Sequence, residues 1–338
     1  VRSRHVVLAR RPDGAPVPED FRVETRELPP LPEGHVLVQV LYATANPGSR
    51  NRLGGGGASY ARGMELGDTM EGPAVGRVAE SRNPAFKPGE LLSGPFGWAE
   101  HVQISGRGMR RIPDDTPSIS AWAGILSIPG LTGYFGLRDV GLAKAGETVL
   151  VSSAAGPVGA TAGQIARITG CRAIGIASGA DKLQWLRNEA GFDSVIDRAG
   201  ANTVDAMAER ITKSAPDGVD VYFDNVGGIT LDTAIACMKP KGRIVVSGQI
   251  ADYNAEPSAR YGTRRVYEFI GKRLRMEGLV VFDYAERYDE ATNAMIGWIR
   301  DGSLKFREHI VEGLEALPAL FCAQLRGEIF GRPLARLA

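Results

Sequence analysis

From residue 147 onward the chain alternates between short apolar runs and amphipathic segments, and this limits its fold more than any other feature. ETVLVSS (147–153) is a continuous apolar run, as expected of a parallel strand buried on both faces. PVGATAGQIARITG (157–170) reads as a helix opened by Pro157 and closed by Gly170. CRAIGIAS (171–178) predicts the next strand and ADKLQWLRNEAG (180–191) the next helix. SVID, NTVDAMAERITKSAP, GVDVYFDNV, TLDTAIACMK and GRIVVSG carry the pattern to residue 248. Roughly six such β/α steps predict an α/β fold built on a doubly wound parallel sheet.

The first 110 residues behave differently. EGHVLVQVLYA (33–43), EGPAVGRVAES (71–81) and GELLSG (89–94) read as short strands, punctuated by PPLPEG, NPAFKPGE and GPFG. They predict an irregular β region of barrel type with no βαβ period. SAWAGILSIPGLTGYFGLRDVG (120–141) is helix-like and opens the second part. After residue 285 come a helix (RYDEATNAMIGWIRDG), a strand-like KFREHIV, a helix around 313–326 and a tail ending RPLARLA. The expected division is 1–119 for a substrate domain, 120–302 for a dinucleotide domain, and 303–338 for a return to the first. The LGGGG run at 53–57 reads as a flexible loop.

A chain of 338 residues suits two domains. Its formal net charge of +1 gives no electrostatic case for nucleic acid or an anionic membrane as partner. No stretch approaches the roughly 20 apolar residues of a membrane span, and VRSRHVVLARRPDG lacks the apolar run of a signal peptide. A cytoplasmic enzyme is the expectation. Cys171, Cys237 and Cys322 are odd in number and far apart, which excludes a disulfide framework and a four-cysteine zinc site. His5, His35, His101 and His309 have no metal-ligand spacing, so no metal is expected.

Between Ser153 and Gly159 stands S-A-A-G-P-V-G, after an apolar strand and at the opening of a helix. This is the Rossmann dinucleotide pattern with Ala154 in place of the first glycine. Gly156 admits a pyrophosphate close to the backbone, and Gly159 lets helix and strand approach. The phosphates then meet free N–H groups at the positive end of the helix dipole. An NAD site places an acid at the end of the second strand, to hold the ribose 2′-OH. Here that strand ends in Ser178 and Gly179, Lys182 follows on the next helix, and Arg198 follows the third strand. Two cations and a missing acid favour a 2′-phosphate, hence NADP, although each cation alone would ordinarily be a solvated surface charge. Asn225, in FDNVGG, is placed either to meet the nicotinamide half or simply to form a turn.

Taken together, IPGLTGYFGL (128–137), VSSAAGPVGATAGQIARITGCRAIGIASG (151–179), DVYFDNVGG (220–228), GRIVVSGQIADYN (242–254), KRLRMEGLVVFDY (272–284) and the stretch around 297–331 resemble the zinc-independent medium-chain dehydrogenase/reductases. Within these the sequence resembles the double-bond reductases: leukotriene B4 12-hydroxydehydrogenase/prostaglandin reductases, plant alkenal reductases and bacterial curcumin reductase-like enzymes. The resemblance implies a GroES-like barrel domain, completed by the C-terminal tail, and an inserted Rossmann domain. It implies NADPH as cofactor, with Ala155, Gly156, Pro157, Val158 and Gly159 around the pyrophosphate and Ser178, Lys182 and Arg198 around the 2′-phosphate. Asn225, Ser247, Gly248, Gln249, Ile250 and Tyr253 would line the nicotinamide half, with Leu279, Val280 and Val281 beside it. A homodimer is likewise an implication of the family. Three positions depart from its pattern: Arg198 stands for a tyrosine, Asn46-Pro47-Gly48-Ser49-Arg50 replaces D-P-Y-M-R, and Ile329 replaces an asparagine.

For such enzymes the substrate is an enal or enone. Hydride reaches the β-carbon while negative charge grows on the carbonyl oxygen. A phenol, ordinarily protonated up to a pKa of about 10, suits that oxygen as a hydrogen-bond donor, and the resemblance points to Tyr253. The alternative for Tyr253 is a packing role in a turn. Tyr42, Tyr60, Phe96, Trp98 and Tyr261 read as core or surface before substrate contacts. Two other functions fit the same sequence: a zinc-free NADPH carbonyl or quinone reductase, and a non-catalytic NADPH-binding protein.

Overall fold

The computed structural model describes all residues except 55–61 and 256. Most of the LGGGG run, and Tyr60, therefore lie outside the described residues. In chain order the first strands are β1 (Arg2–Leu8), β2 (Phe21–Glu27), β3 (Val36–Thr44), β4 (Ala74–Ser81), β5 (Leu91–Gly94), β6 (His101–Ile104) and β7 (Arg110–Arg111). Next come β8 (Thr148–Val151), β9 (Arg172–Ala177), β10 (Ser194–Asp197), β11 (Val219–Asp224), β12 (Met238–Val246) and β13 (Arg275–Gly278). The chain ends with β14 (Glu308–Glu312) and β15 (Arg332–Arg336). The helices are α1 (Arg50–Leu53), α2 (Ile128–Phe135), α3 (Pro157–Ile168), α4 (Ala180–Asn188), α5 (Val204–Ser214), α6 (Gly228–Cys237), α7 (Tyr267–Lys272), α8 (Tyr288–Arg300) and α9 (Leu317–Leu325).

These elements form two compact units: Val1–Ser127 with Glu308–Ala338, and Ile128–Arg307. In the first, β14-β15-β3-β4-β5-β7 form one sheet, with β6 also paired to β3, and β1 and β2 form a hairpin. β15 runs antiparallel to β3, pairing Leu334 with Thr44, so the C-terminal segment is part of this sheet. The unit's core follows the alternation of its strands. Trp98 is fully buried and meets Phe321 of α9 edge-on at 5.8 Å, while Phe21 meets the same Phe321 ring at 5.9 Å. Trp98 Nε1 donates to the Thr44 carbonyl at 2.8 Å, which satisfies the indole's one polar atom. Phe96 is 2% exposed, so these two aromatics are core.

The second unit is a six-stranded sheet in the order β10-β9-β8-β11-β12-β13, parallel at every pairing. All four residues of β8 are buried, which explains why its sequence is apolar without alternation. The strand order reverses direction between β8 and β11, and in open sheets of this kind ligands bind beyond the carboxyl ends of the strands at such a point. The helix-like stretch 120–141 is not one helix. A 3₁₀ turn spans Ser120–Trp122, α2 starts at Ile128, and a π-helical turn continues it over Gly136–Val140. Pro129 sits in the first turn of α2, where its missing N–H leaves no carbonyl unsatisfied.

Candidate functional site

The site is built at the carboxyl ends of the second unit's strands. After β8 the chain turns through Ser153, held at φ +50°, and the Ser153 carbonyl accepts from Gly156 N at 2.9 Å. Gly156 then caps α3 in an extended conformation with no side-chain hydrogen bond at the cap. The first-turn N–H groups of α3 have no intrahelical partner and sum with the helix dipole to favour an anion. A side chain at Gly159 would put its Cβ 2.5 Å from the Ser153 carbonyl oxygen and 2.9 Å from Ala154 Cα. Only glycine therefore allows α3 to begin this close to the loop. Ala155 and Val158 complete the turn with Pro157 at the first helical position.

At the next loop, Gly179 adopts φ +100° and starts α4, leaving Ser178 exposed at the tip of β9. Lys182 is half-buried on α4, and its partial burial pushes the ammonium pKa down. Arg198 follows β10, and its backbone N–H donates to the Ala177 carbonyl at 2.8 Å, which ties it to the end of β9. Arg198 lines a cavity of about 110 Å³ with Ala201, Asn202, Met207, Ile229 and Thr230. Ser178 and Arg198 thus follow the neighbouring strands β9 and β10, with Lys182 in the first turn of α4.

Across the switch point the loops are laced together. Asn225 N donates to Ser152 Oγ at 2.9 Å and Asn225 Nδ2 to the Ser152 carbonyl at 2.8 Å, which joins the ends of β8 and β11. The Asn225 amide nitrogen is thus engaged by the protein itself. Ser247 N and Gly248 N donate to the Asp224 carbonyl at 2.8 and 3.1 Å, and Ile250 N donates to the Asn225 carbonyl at 3.3 Å. The Gln249 carboxamide lies against Gly227, where an added Cβ would be 2.8 Å from its Oε1. A short 3₁₀ turn, Ile250–Asp252, then brings Tyr253 back toward its own loop. The Tyr253 hydroxyl lies 3.4 Å from the point a Gly248 Cβ would occupy, and the Asn225 carbonyl oxygen lies 3.2 Å from the same point. Leu279 N donates to the Val246 carbonyl at 3.0 Å, and its side chain packs into the space left at Gly136. Val280 is half-buried and Val281, 7% exposed, opens the next 3₁₀ turn.

Ser152 and Asp224 are the residues that sequence reasoning passed over. Both are fully buried polar side chains at strand ends, and the polar step out of the apolar runs TVLV and VYF was their one visible signal. Tyr261 was a possible cleft aromatic, but its hydroxyl donates to Asp232 Oδ2 at 2.9 Å. In the first unit Asn46 Oδ1 accepts from Gly48 N at 3.4 Å, and Arg50 Nη2 donates to the Gly14 carbonyl at 2.7 Å. Ile329 packs on that unit's apolar core. Among the described residues no three His, Cys, Asp or Glu side chains are grouped to hold a metal ion, and no helix is long and apolar enough to cross a membrane.

A strand–glycine loop–helix turn at the reversal of a parallel sheet, in a chain that also carries a β unit joined by the segment Glu308–Ala338, defines a dinucleotide-binding class of protein. Comparison with known proteins narrows it. Residues 4–112 match the family model for the N-terminal domain of oxidoreductases, and residues 157–297 match that described as zinc-binding dehydrogenase. The chain is 37% identical over 341 residues to the NADPH-dependent curcumin reductase of Escherichia coli (strain K12), covering 100% of this chain and 97% of that protein. It is 38% identical to prostaglandin reductase 1 of Bos taurus, over 99% of each chain. The crystal structure of CurA from Vibrio vulnificus in complex with NADPH superposes with a TM-score of 0.92 at 35% identity, over 99% of each chain. The chain belongs to the zinc-independent medium-chain dehydrogenase/reductases, in their double-bond reductase group. Its first unit is accordingly the GroES-like domain of that fold and its second the Rossmann domain.

Proposed function

We propose that the protein is a zinc-independent, NADPH-dependent reductase of the carbon–carbon double bond of enals and enones. The observation that carries this reading is the Tyr253 hydroxyl held beside Gly248 at the carboxyl edge of the switch point. Relatives at 37% and 38% identity named as an NADPH-dependent curcumin reductase and a prostaglandin reductase support the same reading. In it, the α3 N-terminus with Ala155 to Gly159 binds the pyrophosphate, and Ser178, Lys182 and Arg198 meet the 2′-phosphate. Asn225, Ser247 to Ile250 and Leu279 to Val281 enclose the nicotinamide. NADPH, when bound, supplies a hydride from C4 of its nicotinamide. The protein's part is to orient the substrate's β-carbon and to stabilise the charge that moves to the carbonyl oxygen as the C=C π pair shifts. Tyr253 donates its phenolic hydrogen bond to that oxygen, and the α-carbon of the enolate then takes a proton from water to give the saturated carbonyl compound.

The partner implied besides substrate is a second copy of the chain. β13 is the outer strand of the six-stranded sheet and all four of its residues are exposed, as are Val266, Tyr267 and Ile270 in and beside the adjoining α7. An exposed strand edge beside apolar side chains is ordinarily covered, and pairing two β13 strands in a cytoplasmic homodimer would cover it.

The test is NADPH oxidation at 340 nm with trans-2-nonenal, 4-hydroxynonenal, a 15-oxo-prostaglandin, an aryl butenone, a quinone and a simple ketone. Saturated aldehydes or ketones from the enals and enones are expected. Turnover with only the quinone or ketone would replace this reading with a carbonyl or quinone reductase, and none with any compound would leave a cofactor-binding protein.

A further inference from the structure

We propose that Asp224 is the positioning residue of the nicotinamide end of the crevice, fixing the loops after β8, β11 and β12 in one register; this rests on the NADPH reading above. Asp224 is the last residue of β11 and is completely buried, so it cannot touch a cofactor. Its Oδ1 accepts from Tyr222 hydroxyl at 2.7 Å, Gly227 N at 2.9 Å, Val226 N at 3.1 Å and Ser152 Oγ at 3.3 Å. Its backbone carbonyl takes the N–H groups of Ser247 and Gly248. One residue thus organises the end of three strands. Tyr222, two residues earlier on the same face of β11, is itself fully buried and spends its hydroxyl on this carboxyl.

The arrangement is more than packing requires. Asp224 Oδ2 is buried and has no hydrogen-bond partner among the described residues. Burial pushes its carboxyl pKa up, against the pull of the backbone and side-chain donors. An apolar residue would fill the end of β11 without that cost. What an apolar residue could not do is collect the Val226 and Gly227 amides and hold Ser152 where it meets Asn225. Those contacts fix Asn225 and Gly227; the Asn225 carbonyl accepts from Ile250 N and lies beside Gly248 and the Tyr253 hydroxyl, and Gly227 packs on Gln249. Loosening Asp224 should therefore disturb the nicotinamide end and spare the adenosine end, whose groups follow β9 and β10.

Asp224→Ala, Asp224→Asn and Tyr222→Phe separate positioning from mere folding. Calorimetric titration would measure Kd for NADPH and for adenosine 2′,5′-bisphosphate, which reports the adenosine end alone. Hydrogen exchange would follow the amides of 226–227 and 247–248. Asp224→Ala is expected to weaken NADPH about 10-fold or more, leave the bisphosphate within about twofold, lower kcat and speed exchange at those amides. Asp224→Asn, which keeps an Oδ1 acceptor but not its charge, and Tyr222→Phe should show the same selectivity at about threefold. They carry the test if the alanine variant does not fold. Equal losses for both ligands, or unchanged exchange in Asp224→Asn, would overturn the proposal. If the wild-type protein does not bind NADPH, the preceding reading fails by itself, and exchange at the amides of 226–227 and 247–248 decides whether Asp224 sets the loops.

Discussion

The two ends of the crevice are made in different ways. At the β8–β10 side the protein relies on backbone geometry and outlying cations: the α3 N-terminus, a glycine that nothing else can replace, Lys182 on α4 and Arg198 after β10. At the β11–β12 side it relies on a buried network, with Asp224, Tyr222 and Ser152 inside and Asn225, Gly248 and Tyr253 outside. The first suits a ligand that must only be held, since charge and dipole tolerate small displacements. The second suits chemistry, where an oxyanion donor displaced by a fraction of an ångström loses much of its effect. The comparison teaches that substitutions at the two ends should fail differently: at one, affinity for the adenosine half is lost; at the other, turnover falls while the adenosine half is still bound.

The largest effect is expected from Tyr253→Phe. Removing the phenol should lower kcat roughly 10–1000-fold, the range for a single oxyanion donor or general acid, with NADPH affinity nearly unchanged. Steady-state kinetics with cofactor titration checks it, and near-wild-type kcat would erase the contrast between the two ends. Next is Gly159→Ala, whose Cβ would lie 2.5 Å from the Ser153 carbonyl. Forcing α3 away should cost about 1–3 kcal/mol of stability and weaken NADPH and the adenosine bisphosphate together, read by thermal denaturation and titration. Arg198→Ala should raise Kd for NADPH roughly 10-fold, the value of one charge-assisted hydrogen bond of about 1.5 kcal/mol. NADH should be unaffected, and equal losses for both cofactors would remove Arg198 from the 2′-phosphate. The smallest effect on catalysis is expected from Met276→Glu on β13, which should shift a dimer toward monomer in sedimentation while kcat stays within about twofold.

The two ends also differed in how readable they were. Gly156, Gly159 and the apolar run before them were legible because a tight turn and a buried parallel strand impose local demands on residue type. The alternation through β12 was legible for the same reason, as was the β character of the first 110 residues. The stretch 120–141 was misread as continuous because its apolar character runs unbroken through 123–126, in the segment between the 3₁₀ turn and α2. Asp224 and Ser152 were not legible. Their partners lie 72 residues apart in the chain, and only the pairing of β8 with β11 brings them within 3.3 Å. Asn225 was identified as a site residue, but the bond from its side chain to the Ser152 carbonyl is a tertiary fact that turn propensity does not contain. Tyr253 and the Leu279–Val281 segment came from family resemblance alone, since nothing in the spacing of either marks a binding residue.

The measurement that bears most directly on the account is the fate of a deuterium label. The protein would be given NADPH deuterated at both C4 positions together with trans-2-nonenal, and the product examined by mass spectrometry and NMR. The account predicts nonanal carrying one deuterium at C3, the former β-carbon, with formation slowed in Tyr253→Phe. Deuterium at C1 in an unsaturated alcohol would show that the carbonyl group is the hydride acceptor and would contradict it.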